Sequence, residues 1–296
     1  MINFATLQAL DIPEGVVTQI TDASGRVIWA VQSGKPVILE VAKITSQTAA
    51  GETTYADEQF ILLDIYPKTN GTVKVTYGGL TKTIKDTSGA ESPNAIQVFF
   101  GTFNGVSDSV TTPDSGTLTI EGDYCGFGIG VYSAYANKEP SAYCECISSV
   151  VDWGDTTIIP AYAFYCCDHI SVLTIPEGIT SIGDYAFYST ATTQGVGVTT
   201  KVPNSVMLNA NIILPSTIQS LGYNIWGYKD ENNEEGFYIK TLTVLATTPP
   251  SVNGSALSWN REYLTTIIVP KGFGEAYKAA AGWNEAGWAN AITEAS

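Results

Sequence analysis

The sequence predicts a mainly β protein in three parts: an N-terminal hairpin, a β-sandwich, and a repeat solenoid closed by a short helical cap. Three observations carry this expectation. Composition is turn-rich and aromatic, with 28 Gly, 16 Tyr and 6 Trp but 15% charged residues, the profile of a β protein rather than a helical or disordered one. Short β-branched runs recur between Gly, Pro, Asn and Asp clusters over residues 36–140. Beyond residue 150 the chain repeats itself, and a repeat sets the architecture before any single motif does.

Fourteen Lys+Arg against 29 Asp+Glu leave a formal charge of −15. Binding through phosphates relies on Lys and Arg displacing counterions, so this balance argues against nucleic acid and against an anionic membrane as partners. At 296 residues the chain can bury two cores without disulfide staples. The opening MINFATLQALDIPEGVV has no basic stretch, no long apolar run and an acid at Asp11, which is unlike a cleaved export signal, and no run of 18 apolar residues predicts membrane insertion. Cys125, Cys144, Cys146, Cys166 and Cys167 are odd in number and bunched, unlike a secreted disulfide framework, so synthesis in a reducing cytosol is expected.

Taken in order, residues 1–35 predict an attachment hairpin: Val16–Ile20 and Arg26–Val31 flank Asp22-Ala23-Ser24-Gly25, a turn signal. A lone two-stranded hairpin is marginal, so it is expected to dock on a neighbour or on another protein. Residues 36–140 hold seven β-rich runs, near 37–45, 59–66, 71–77, 80–85, 95–101, 116–121 and 126–133. Seven strands at that spacing predict a sandwich of immunoglobulin-like type, although no Cys…Trp…Cys pattern accompanies it.

Residues 141–296 predict the repeat domain. Ala163-Phe164 and Ala186-Phe187 stand 23 residues apart. Ile175-Pro176 precedes Ala186-Phe187 by 11 residues, and Leu214-Pro215 precedes Ile225-Trp226 by the same 11. Each coil carries a strand, a turn and an inward bulky pair, and stacked coils share a continuous core. Ile159, Ile182 and Leu221 are expected to form one internal ladder, and Phe164, Phe187 and Trp226 another. From Glu275 to about Trp288, Ala, Tyr and Trp recur at helical spacing, which predicts a helical cap.

These motifs resemble the BspA-type leucine-rich repeat family, whose unit of about 23 residues runs Ile-Pro, Ile-Gly, Ala-Phe, then Cys and Leu. IPEGITSIGDYAFY carries the match, Cys167 and Ile170 take the Cys and Leu places of the preceding copy, and VPKGFGEAYKAAAGW resembles the family's closing motif. The resemblance spans roughly residues 150–283. Departures are a shortened first copy, a 16-residue insertion within the stretch Ser189–Ser205, and Thr190 in the Cys place. Such proteins are generally surface adhesins or recognition modules, so the resemblance implies binding. Separately, IPEGVVTQITDASGRVIWAV is similar to the opening of tail-associated proteins from phages of gut bacteria.

Catalytic chemistry has little to stand on. Any Ser-His-Asp or Cys-His arrangement must pass through His169, the one histidine, which reads more simply as a repeat-turn residue. GFGIG at Gly126–Gly130 lies in a β region with no helix after it, unlike a nucleotide loop. Cys144, Cys146, Cys166, Cys167 and His169 are poorly spaced for zinc, and Asp152-Trp-Gly-Asp155 suits a tight turn better than calcium. No metal and no cofactor are expected. Tyrosine is the remaining feature. Tyr162 and Tyr185 precede the Ala of two Ala-Phe pairs, Tyr165 and Tyr188 follow the Phe, and Tyr228 lies near the third pair. Two files of rings, one coil apart, suit glycan or protein recognition.

The expectation is therefore a non-enzymatic recognition protein of a phage tail. Its N-terminal region would meet other virion proteins, and its repeat surface a glycan or protein of the bacterial host. The alternative is a bacterial surface adhesin, located at the cell surface or outside it, that binds host protein or glycan. Oligomerisation would raise avidity, and analogy with phage fibres points to a trimer.

Overall fold

The computed structural model describes residues 19–21, 27–30, 34–41, 60–87, 95–103, 106–108, 115–129, 147–164, 175–187, 211–225, 241–253, 264–284 and 288–296. Described residues are mainly β, with one short helix among them. Near the N-terminus, β1 (Gln19–Thr21) and β2 (Val27–Ala30) pair antiparallel in a two-stranded sheet, with Gln19 opposite Ala30.

The next strands are β3 (Val37–Val41), β4 (Phe60–Pro67), β5 (Thr72–Tyr77), β6 (Leu80–Lys85), β7 (Ile96–Phe103), β8 (Val106–Ser107), β9 (Gly116–Gly122) and β10 (Tyr124–Gly128). Alternation decides their faces. In TVKVTY, Val73, Val75 and Tyr77 are buried while Thr72 and Lys74 are exposed, as a half-buried strand requires. Gly78 and Gly79 both take positive φ, 58° and 80°, so the two-residue turn between β5 and β6 follows the right-handed twist of its strands.

These strands form two antiparallel sheets, β10-β4-β7-β8 and a five-stranded sheet that contains β3-β9-β5-β6. Leu39, Val75 and Ile120 from the second share one apolar core with Ile61, Leu63, Ile65 and Phe100 from the first, and Tyr77 meets Phe100 edge-on at 5.8 Å.

The fifth strand of that sheet is β11 (Ile147–Trp153), which pairs antiparallel with β3. The expected start of the repeat domain at residue 141 thus precedes a strand whose hydrogen bonds go to the antiparallel unit. Two bulges interrupt the pairing, a common way to blunt a sheet edge. The last expected run, 126–133, overlaps β10, which starts at Tyr124 and ends at Gly128, and its residues 130–133 lie outside the described residues.

Beyond β11 the pairing turns parallel. β12 (Ile158–Ile159), β13 (Ser181–Ile182), β15 (Ser220–Leu221) and β17 (Ser251–Val252) form one four-stranded sheet. β14 (Asn211–Leu214), β16 (Thr241–Val244), β18 (Thr266–Val269) and β19 (Ile292–Glu294) form a second. All these neighbours are parallel and in register. Ile159, Ile182 and Leu221 are register partners and buried. Phe164 stacks on Phe187 with ring centres 5.3 Å apart. Gly183 and Gly222 permit this close stacking: a Cβ on Gly222 would lie 2.5 Å from the Asp184 backbone nitrogen of the coil before it.

β10 joins the two units. One edge pairs with β4, and the other serves the first coil: Thr157 N donates to Cys125 O at 2.8 Å, and Ile129 N to Ala163 O at 2.7 Å. Gly126 and Gly128 let that coil approach, since a Cβ on Gly126 would stand 2.7 Å from Ile158 Cγ1. Phe127, Trp153 and Phe164 then carry the aromatic core across the junction, with ring centres 5.5 to 6.0 Å apart. Residues 126–129 of the GFGIG segment are therefore a docking edge. Tyr124 locks the same junction, its hydroxyl donating to Lys35 O at 2.5 Å and accepting from Asp155 N at 3.0 Å. Burial pushes this phenol up to about 12.

At the other end, helix α1 covers Gly274–Ala279, shorter than the expected Glu275–Trp288. Turns follow, and the chain then returns as β19 beside β18. Helical spacing gives way because Tyr277 and Trp283 need separate carbonyl partners on the stack: Tyr277 OH donates to Ala246 O at 2.7 Å and Trp283 Nε1 to Pro250 O at 2.8 Å. Burial raises the Tyr277 phenol.

Candidate functional site

The tyrosines of the repeat turns make an ordered row. Tyr162 and Tyr185 take left-handed backbone, φ 60° and 54°, and Asn224 takes φ 43° at the matching place of the third coil. Asn tolerates that conformation through its short polar side chain, whereas a bulky residue at positive φ is an outlier. Cross-coil hydrogen bonds impose it, with Tyr162 N donating to Asp184 O and Tyr185 N to Tyr223 O, both at 2.9 Å.

Ring geometry follows from that backbone. Tyr162 and Tyr185 stack face to face, with centres 5.2 Å apart and planes 11° apart. Tyr223 meets Tyr185 edge-on at 5.4 Å, so the third ring comes from the residue before Asn224. Tyr162 and Tyr185 thus each cover one face of the other, and all three tyrosines are half-buried. Burial raises the Tyr185 phenol, and the neighbouring Tyr223 phenol adds to the rise.

A groove about 480 Å³ in volume runs over β12, β13, β15 and β17. Strand alternation builds it: Ile159, Ile182 and Leu221 point inward, so Ile158, Ser181, Ser220 and Ser251 point outward in one file. Its floor includes Gly183 and Gly222, and no lining residue is charged. Sequence reasoning places Tyr223 beside the break in the third copy, where Asn224 and Gly227 interrupt the files, but misses this serine file. Its signal is the residue before each inward Ile or Leu, visible once the coils are aligned.

Glu177, at a coil's turn, and Asp152, at the end of β11, are committed to structure. Glu177 accepts from Ser216 N at 2.9 Å and Ser216 Oγ at 2.8 Å, which holds its carboxyl below the usual range. Asp152 Oδ1 accepts from Gly154 N at 2.9 Å, the geometry of a tight turn. Among the described residues no group of three or more His, Cys, Asp or Glu side chains is placed to hold a metal ion. No helix among them is long and apolar enough to cross a membrane.

The ladder residues Ile159, Phe164, Ile182, Phe187 and Leu221 are buried. Tyr165, Tyr188, Trp226 and Tyr228, together with Cys144, Cys146, Cys166, Cys167 and His169, lie outside the described residues. No curated protein compared with the chain matches it. Residues 157–232, about a quarter of the chain, match the family described as BspA type leucine rich repeat region in its six-copy form, so the first three coils are similar to that family.

Proposed function

We propose that this chain is a non-enzymatic recognition protein that grips a bacterial surface through the tyrosine row of its repeat stack. One observation carries the reading: Tyr162 and Tyr185 are kept at left-handed positions, at a cost of about 1–3 kcal/mol each. The third coil fills the same place with Asn224, the cheaper residue. Strain of that kind, repeated on a half-exposed strip, points to selection for the rings. The likeness of residues 157–232 to BspA type repeats supports a binding role, as that family is generally one of surface recognition.

In this reading the chain is part of a phage tail, with β1 and β2 as its attachment hairpin. The unit of two antiparallel sheets is an immunoglobulin-like spacer and the parallel coils are a BspA-like solenoid. Trimerisation would multiply weak contacts. The second reading, a bacterial surface adhesin, rests on the same family likeness. Mass spectrometry of purified virions separates them: detection in particles supports the tail, and detection confined to cell-wall fractions supports the adhesin. Adsorption of the full chain to gut bacteria tests the tail reading. The Tyr162→Ala/Tyr185→Ala double variant is expected to lose adsorption about tenfold or more, the scale of one or two interface contacts; unchanged adsorption refutes the tyrosine row.

A further inference from the structure

We infer that the groove over β12, β13, β15 and β17 binds an uncharged, extended polysaccharide lying along the stack. The inference rests on the recognition reading and assigns it a ligand class. Parallel strands stand about 4.8 Å apart, so Ser181, Ser220 and Ser251 present one outward residue per coil at that step. The step is comparable with the advance of one sugar ring in an extended chain. Ile158 and Pro160 supply an apolar wall at the first coil, and Asn253 an amide at the fourth. Hydroxyls, an amide and a small apolar surface are the mixture that meets a sugar's hydroxyls and its C–H face.

Charge narrows the ligand further. The groove carries no charged lining residue on a chain of net charge −15. A uronic-acid or phosphate polymer would be repelled by the protein's field and find no cation in the groove. A peptide strand is disfavoured for another reason. Strand addition needs free backbone donors, yet Gly183 N, Gly222 N and Asn253 N are consumed by Ile159 O, Ile182 O and Leu221 O at 2.7 to 3.0 Å. Shallow walls of Ser and Gly also offer no deep pocket for alternate side chains. The tyrosine row begins within two residues of the floor at Pro160, Gly183 and Gly222, so the two strips run side by side.

Affinity electrophoresis of the full chain through a linear β-glucan, a mannan and a galactan, with alginate and hyaluronate as acidic controls, tests this. Retardation by at least one neutral polymer is expected. Ser220→Glu should weaken it about tenfold or more by placing an unpaired charge against the ligand, with an unchanged melting curve, while Ser220→Thr should keep it. Should Ser220→Glu fail to fold, the exposed Ser251→Glu takes its place. Retardation by acidic polymers alone, by no polymer, or equally by the Glu variant overturns the assignment. Cell adsorption that survives Ser220→Glu but not Tyr162→Ala/Tyr185→Ala removes the groove and leaves the recognition reading. Neutral-polymer binding through the groove without adsorption to cells does the reverse.

Discussion

Tyr185 sets opposing energies against each other within one residue. Its left-handed backbone costs roughly 1–2 kcal/mol, while its contacts with Tyr162 and Tyr223 return about 0.5–1.5 kcal/mol each as aromatic pairs. Asn at this place would relieve the first and forfeit the second. Tyr185→Asn is therefore expected to shift stability by no more than about 2 kcal/mol, read as a urea midpoint, while adsorption to cells falls. A large destabilisation with adsorption intact would make the ring a packing element. Neither the left-handed tyrosines nor the face-to-face stack is legible in the sequence. Tyr seldom adopts positive φ, and the conformation is imposed by carbonyls of the next coil, up to 38 residues downstream in the case of Tyr185 and Tyr223 O.

Among the elements, the end of the stack depends on a carboxylate in β19. Glu294 Oε2 accepts from Gly272 N and Oε1 from Gly274 N, both at 2.9 Å, tying the last strand to the start of α1. These backbone donors, Gly272 first, hold the Glu294 carboxyl below its ordinary value of 4.5. A depressed acid stabilises the fold above its unfolded value, and that contribution disappears as pH falls through the folded value. Thermal melting of the full chain should thus drop as pH is lowered below about 4.5, and Glu294→Gln should flatten that part of the profile while lowering the melting temperature at pH 7. A profile unaltered by Glu294→Gln would show that the cap does not depend on this tie. ITE at the C-terminal end gives too short a pattern to predict β19. β11 is hidden for a different reason: ISSVVDW fits either unit by composition, and its partner is remote, Ser149 lying 109 residues from Glu40. Ala-Phe and Ile-Gly at a fixed spacing are readable because each pair is local and recurs; the groove beside them becomes visible when the coils are set in register.

At the scale of the whole molecule, the antiparallel unit and the coils share one apolar core and are joined at β10. The apolar core is continuous from Val37 to Ile292, and Phe127, Trp153 and Phe164 occupy the crossing. A stack of coils needs its first member covered, because each unit leaves an apolar edge and unpaired backbone groups toward its neighbour. β10 supplies that cover here. It follows that a fragment beginning at residue 141 keeps β11 without its partner β3 and keeps the first coil without Cys125 O and Ile129 N to pair with. The fragment 141–296 is expected to aggregate or to melt without a cooperative transition, by circular dichroism and size-exclusion chromatography. A gentler lesion tests the same junction in the full chain. Gly126→Val sets new atoms against Ile158 and Pro160, an overpacking cost of about 1–3 kcal/mol. It should lower the melting of the coils more than that of the antiparallel sheets, separating one transition into two. A soluble 141–296 fragment that melts cooperatively at the temperature of the full chain would mean that the coils cap themselves, and the β10 edge would then be a contact between two independent domains.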